Sequence, residues 1–250
     1  MEFRATTEVS ETMPARSRLL RAAGRKFGIL LVALAALLAS APLIVDRPAG
    51  HIAFALLADA VLVASLHAAR PRRSTLAVGL LLAVADFAIG RLAILEGGRW
   101  LLLLQIVLWL SILVFVAGTI LEVIFESEGV GVETLQAALC VYLLLGLLWM
   151  FVYALIEAAA PGSFLSARGP QIALTDERSR WDGFSRLLVF SYSALTTTGF
   201  GGLAPASGFA SICANLEALT AQVYLAVVIA RLVGIRATQL VSARDTRTRS

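Results

Sequence analysis

The sequence predicts an all-α membrane protein: six transmembrane helices, with a short re-entrant helix and an irregular loop between the fifth and sixth. Three observations predict it. The 250-residue chain is 59% hydrophobic and only 15% charged, with a mean hydropathy of +0.84, where a soluble domain carries roughly 25% charged residues. The apolar residues are gathered into runs matching the ~20 helical residues that cross a ~30 Å hydrocarbon layer. One further stretch, Asp182–Leu195, is too short to cross and leads into Thr196-Thr197-Thr198-Gly199-Phe200-Gly201.

Residues 1–26 are polar and basic, with Arg4, Arg16, Arg18, Arg21, Arg25 and Lys26, and form a cytoplasmic N-terminal segment. The first apolar run is Phe27–Val45. Ala39-Ser40-Ala41 resembles a signal-peptide cleavage site. The long polar lead, the 19-residue run and Pro42 after the cut favour a retained membrane helix instead. A turn at Asp46–Gly50 leads to helix two, His51–Ala69, which the basic cluster Arg70-Pro71-Arg72-Arg73 closes. Helix three covers about Ser74–Leu95, and a Glu96-Gly97-Gly98-Arg99 turn joins it to helix four, Trp100–Phe125.

An acidic linker from Glu126 to Glu133, broken by Gly129 and Gly131, precedes helix five, about Thr134–Ala159. The polar stretch Pro161–Trp181 is too hydrophilic for lipid. Asp182–Leu195 reads as a short amphipathic helix with Asp182 as its N-cap. The loop and a turn over Gly202–Ser207 follow, then helix six, Gly208–Val233, and a polar tail bearing Arg236, Arg244, Arg247 and Arg249. The domains expected are thus a four-helix unit over 27–125, a helix–loop–helix unit over 133–234 and a cytoplasmic tail over 235–250. That tail is too short for a ligand-binding domain.

The formal charge of +4 and pI near 9.6 do not point to nucleic acid. The basic residues sit at the ends of apolar runs, where lysine and arginine mark the cytoplasmic side. With six crossings, the N-terminus, Arg70–Arg73 and the tail share that side, which gives a multi-pass plasma (bacterial inner) membrane protein with both termini cytoplasmic. Cys140 and Cys213 fall inside predicted membrane helices, so no disulfide framework or metal centre is expected. No Cys/His cluster, phosphate-binding loop or catalytic dyad stands out, and the only histidines, His51 and His67, bracket one helix. An enzyme, an organic cofactor or a small-molecule substrate is therefore not expected.

Non-helical backbone survives at membrane depth only where protein encloses it or it lines water. A short helix that enters and stops, followed by Thr-Thr-Gly-Phe-Gly, therefore implies a re-entrant pore loop. A dehydrated cation needs oxygens in place of water, and successive backbone carbonyls facing one axis supply them. Gly199 and Gly201 have access to backbone angles closed to other residues, which lets neighbouring carbonyls share a direction. The Thr197 hydroxyl adds an oxygen at the inner end. One chain supplies one strand, so four copies must surround the axis in a homotetramer within the bilayer.

The run Ser193-Ala194-Leu195-Thr196-Thr197-Thr198-Gly199-Phe200-Gly201-Gly202-Leu203-Ala204-Pro205 resembles the pore loop of the potassium channel superfamily, whose filter reads Thr-Val-Gly-Tyr-Gly. The resemblance spans about 100 residues, helix five through helix six, and helix six, with Leu216-Glu217-Ala218 and the run from Tyr224 to Gly234, looks like that of small bacterial six-helix members. It implies a passive potassium channel with the filter at Thr197, Thr198, Gly199, Phe200 and Gly201, and K+ held at Thr197, Thr198, Gly199 and Phe200. Tyr192, Ser193, Thr196, Gly202 and Glu217 are the expected filter supports. Thr198 stands where the family has Val, Phe200 where it has Tyr, and Gly202 where it has Asp. Each change removes a clamp, and together they open the alternative of a non-selective cation channel.

Counting from the filter, the family's hinge glycine falls near Ala221, beside Gln222, and alanine favours a straighter helix by up to ~1 kcal/mol. Below it, Leu225, Ile229 and Val233 form a candidate hydrophobic gate, with packing on helix five as the plain alternative. Glu217 lies roughly 14 Å into helix six at ~1.5 Å per residue. An intramembrane acid is usually paired, and the expected role is a hydrogen-bonded anchor for Tyr192 or Ser193. Helix four lacks the arginine ladder of a voltage sensor. Asp59 and Asp86 share a depth, and Arg91 is their expected partner in a buried charge cluster. A transporter subunit and a non-conducting membrane sensor complete the readings left open.

Overall fold

The computed structural model describes residues 27–40, 73–96, 98–126, 131–167, 171–174, 177–200 and 202–248. Predicted helix two, and Asp59 within it, lie outside these. The described residues are mostly helical, and three helices are long and apolar enough to cross a membrane.

The first described helix, α1, runs over Phe27–Ser40. Phe27, Leu30, Leu34 and Leu37 recur at three- and four-residue spacing and are all buried, which makes a single packed stripe. The Cys140 thiol donates to the Phe27 carbonyl at 3.6 Å, so the start of α1 lies beside the first turns of α4. Helix α2 spans Arg73–Glu96 and α3 spans Arg99–Glu126. Both match the predicted segments to within a residue at each end, because the apolar runs that form them contain no proline. Helix α4, Val132–Ala159, is the hub and packs on α3, α5 and α6. Its last turn closes through the Ala160 N–H on the Ile156 carbonyl at 2.8 Å, and Pro161 cannot continue it.

Beyond α4, the stretch read only as too polar for lipid contains a strand. Strand β1, Phe164–Ser166, pairs antiparallel with β2, Leu203–Pro205, in the register Phe164↔Pro205, Leu165↔Ala204 and Ser166↔Leu203. The segment read as a Gly202–Ser207 turn is therefore half of a two-stranded ribbon. The buried carboxylate of Glu157 orders the approach to it, accepting the N–H groups of Gly162 at 2.7 Å and Phe164 at 3.1 Å.

Helix α5 spans Glu177–Leu195, five residues longer at its start than the half-helix expected. Asp182 is not its N-cap: it sits inside the helix and pairs with Arg186 one turn on at 3.6 Å. Helix α6 runs unbroken over Gly208–Thr248, 41 residues, or about 60 Å at 1.5 Å per residue. The predicted stop at Val233 is overturned, and the tail is helical through Thr248. The helix is continuous through Ala221.

Candidate functional site

The site begins where α5 ends. A helix leaves its last four carbonyls without intrahelical partners, and here each of the four finds one. Tyr192 O accepts the Thr196 N–H at 3.0 Å, Ala194 O accepts the Thr197 N–H at 3.0 Å, and Ser193 O accepts the Thr198 N–H at 2.9 Å. Leu195 O accepts the Tyr142 hydroxyl at 3.3 Å. The bonds from residues 197 and 198 are the nested pair of a Schellman cap, which requires a left-handed residue between them. That residue is Thr197, at φ 56°. Glycine usually takes this position; a β-branched residue does so under strain of roughly 1–2 kcal/mol.

From that cap the chain continues in a related way. Gly199 is also left-handed, at φ 71°, and its N–H reaches the same Ser193 carbonyl at 3.3 Å. The next N–H, of Phe200, donates to the Ser193 hydroxyl at 2.6 Å. Three consecutive N–H groups thus converge on the two oxygens of Ser193, as alternating handedness along a backbone allows. In a planar trans peptide the C=O points opposite to the N–H, and no cis peptide occurs among the described residues. The carbonyls of Thr197, Thr198 and Gly199 therefore point together, away from α5 and toward the open side of the chain, where residues 196–200 are exposed.

Phe200 breaks the series. Its carbonyl accepts the Gly202 N–H at 2.9 Å, so it is engaged within the chain and not free in the way expected of a fourth ion-binding carbonyl. Gly201 lies outside the described residues. Gly202 in turn offers its carbonyl to the Ala167 N–H at 3.2 Å, which ties the end of the loop to the ribbon. The ribbon thus braces the far end of the loop, and the Ser193 hydroxyl holds its main chain from behind.

The threonines are used locally. The Thr196 hydroxyl donates to Tyr192 O at 2.7 Å, and its oxygen lies 2.7 Å from the Thr198 hydroxyl. Thr198 is then the donor, so a valine there would lose a bond. The Thr197 hydroxyl donates to Thr196 O at 2.7 Å, which leaves the lone pairs of its oxygen open.

Behind the loop, α5 is pinned to α4. The four tyrosines of the chain all lie in this unit, and each hydroxyl bonds across to another helix. Tyr142 meets Leu195 O, Tyr192 meets Leu143 O, Tyr224 meets Ala138 O and Tyr153 meets Glu217. Gly146 makes room for the Tyr192 ring, since a Cβ there would lie 2.5 Å from Tyr192 Cζ. Glu217 is fully buried and accepts from Tyr153, while Ser191 Oγ lies 2.6 Å from its other oxygen. It is thus a hydrogen-bonded anchor for a group of α5, as expected, but that group is Ser191, joined by Tyr153 of α4, and not Tyr192 or Ser193. Ser191 and Tyr153 escaped the sequence reading because a serine and a tyrosine on apolar helices look like ordinary packing.

On α6, Ala210, Cys213, Glu217 and Ala221 are buried on one stripe that Tyr224 and Val228 continue against α4. Ala221 is therefore covered by the rest of the chain and is not part of an open gate face. Gln222 is exposed, as are Leu225 at 38%, Ile229 at 58% and Val233 at 63%, so these do not pack on α4. In the four-helix unit, Asp86 Oδ1 accepts from the buried Gln105 amide of α3. The Arg91 side chain and Asp59 lie outside what is described.

Two arginines hold α3 at its ends. Arg99 donates to the Ala158 carbonyl at 2.8 Å and also to that of Ala159, at the C-terminus of α4. Arg231 of α6 donates to the Phe125 carbonyl at 2.7 Å and sits 4.7 Å over the Phe125 ring. Cations at helix C-termini are favourably placed. No protein-family model matches the chain, and neither a characterised protein nor a solved structure matches it.

Proposed function

We propose that this chain is one quarter of a potassium channel, in which four copies bring their Thr197–Gly199 carbonyls to a common axis and replace the hydration shell of the ion. The observation that carries the reading is the convergence of three consecutive loop N–H groups on Ser193, which directs the Thr197–Gly199 carbonyls away from it. Carbonyl rings of this kind conduct K+ by substituting for water, with the Thr197 hydroxyl oxygen as the next ring inward. The apolar, largely exposed surface of α6 (6% of its most apolar window is buried) supplies the face on which neighbouring copies pack. Six crossings, with α5 re-entering between the last two, complete the arrangement.

The same geometry favours a second reading for selectivity. With the Phe200 carbonyl engaged by Gly202, each copy offers three backbone carbonyls and one hydroxyl, and discrimination of K+ from Na+ is weaker than the family pattern implies. Voltage sensing of the usual kind is not part of the proposal, because α3 lacks the arginine ladder and is fastened at both ends by Arg99 and Arg231. The test is ion flux from purified protein in vesicles under K+ and Na+ gradients, with Gly199→Ala as the control. K+ flux that the substitution abolishes supports the reading; no flux at any voltage favours a non-conducting sensor.

A further inference from the structure

The hydroxyl of Ser191 has one proton and two acceptors in range. Its Oγ lies 2.7 Å from the Gly146 carbonyl and 2.6 Å from Glu217 Oε1, while Glu217 Oε2 takes the Tyr153 hydroxyl. A serine hydroxyl donates one hydrogen bond. If Glu217 were a carboxylate, one of the two close Ser191 contacts would set two oxygens against each other with no proton between them. With a carboxylic acid the set closes: Oε1–H donates to Ser191, Ser191 to Gly146 O and Tyr153 to Oε2. All three side chains are fully buried, and a buried charge without a counter-charge is costly.

We infer that Glu217 is held as a neutral carboxylic acid and acts as a positioning residue, whose proton locks α5 between α6 and α4 just ahead of Ser193. Ser191 is bonded to α4 and α6, Tyr192 to the Leu143 carbonyl of α4, and Ser193 to the loop N–H groups. Removal of the proton turns the Ser191 hydroxyl to the carboxylate and frees the Gly146 carbonyl, so the element that aligns the Thr197–Gly199 carbonyls loses one of its ties to α4. The groups facing Glu217 are Tyr153 and Tyr142 from α4, Tyr192 from α5 and Cys213 one turn away on α6. No Lys, Arg or His pairs with it among the described residues. The lock therefore holds while the Glu217 carboxyl keeps its proton and opens when that proton is removed.

The effect on flux rests on the pore reading above; the protonation state does not. Infrared spectra of the full-length protein in vesicles should contain a protonated-carboxyl C=O band at mildly acidic pH. That band should fade on alkalinisation and be missing from Glu217→Gln. Glutamine keeps a donor toward Ser191 and an acceptor for Tyr153, so this variant should retain K+ flux while losing the severalfold alkaline decline of the wild type. Absence of the Glu217 band at every pH where the protein is folded overturns the inference, whether or not the protein conducts. A band that titrates while the flux of wild type and Glu217→Gln shows the same pH profile overturns the positioning role.

Discussion

Replacing Ser193 with alanine removes one atom, the Oγ that accepts the Phe200 N–H at 2.6 Å, and leaves the Ser193 carbonyl with its bonds to Thr198 and Gly199. The Phe200 N–H then loses its protein acceptor at an exposed residue, where water replaces it, so the change costs about the 0.5–1.5 kcal/mol of one ordinary hydrogen bond. That energy is lost from one conformation of one peptide, the link between Gly199 and Phe200. The Gly199 carbonyl should therefore turn away from its neighbours, while those of Thr197 and Thr198 keep their direction. A penalty of this size shifts the aligned population by roughly 2- to 12-fold at 1.4 kcal/mol per decade. The protein should still fold and oligomerise, because the packing of α5 on α4 is untouched. Paired K+ and Na+ flux in vesicles is the assay, with Ser193→Thr, which retains a hydroxyl, as the rescue. Wild-type K+ preference and rate in Ser193→Ala would refute the convergence of loop N–H groups on Ser193 as the source of carbonyl alignment.

Two further substitutions test other parts of the frame. Gly146→Ala places a methyl 2.5 Å from the Tyr192 ring and should destabilise the protein by about 1–3 kcal/mol through overpacking, seen as a lowered midpoint in thermal unfolding; an unchanged midpoint would mean that the Tyr192 ring is not seated there. Thr197→Gly should relieve the left-handed strain at φ 56°, worth roughly 1–2 kcal/mol less the entropy of an added glycine. It should leave thermal stability equal or higher while reducing ion discrimination, because the innermost hydroxyl is gone; a sharp loss of stability would contradict the cap geometry.

What could be read from the sequence follows from how each element is specified. Helices α2, α3 and α4 are written as long apolar runs between polar breaks, and their limits were legible to within a residue or two. The start of α5 was not, because Asp182 has the chemistry of an N-cap but is used as the first member of an i,i+4 pair with Arg186. The extension of α6 was hidden by Gly234 and by polarity, although a helix already nucleated propagates cheaply through Arg, Ala, Gln and Leu. Strands of three residues, Phe164–Ser166 and Leu203–Pro205, are too short for an alternating pattern to register. In the site, Gly199 announced its left-handed backbone, whereas Thr197 concealed the same conformation because threonine rarely adopts it. The role of Ser193 depends on three N–H groups meeting in space, which no spacing rule encodes.

The central claim is that the carbonyls of Thr197, Thr198 and Gly199 face the ion while that of Phe200 does not. Isotope-edited infrared spectroscopy of the assembled protein measures this directly, with a 13C=O label placed at one of the four positions and spectra taken in K+ and in Na+. The account predicts a frequency shift on ion exchange for labels at 197, 198 and 199 and none at 200, whose carbonyl is held by Gly202 at 2.9 Å. A shift at Phe200 with none at Thr198 and Gly199 would contradict it.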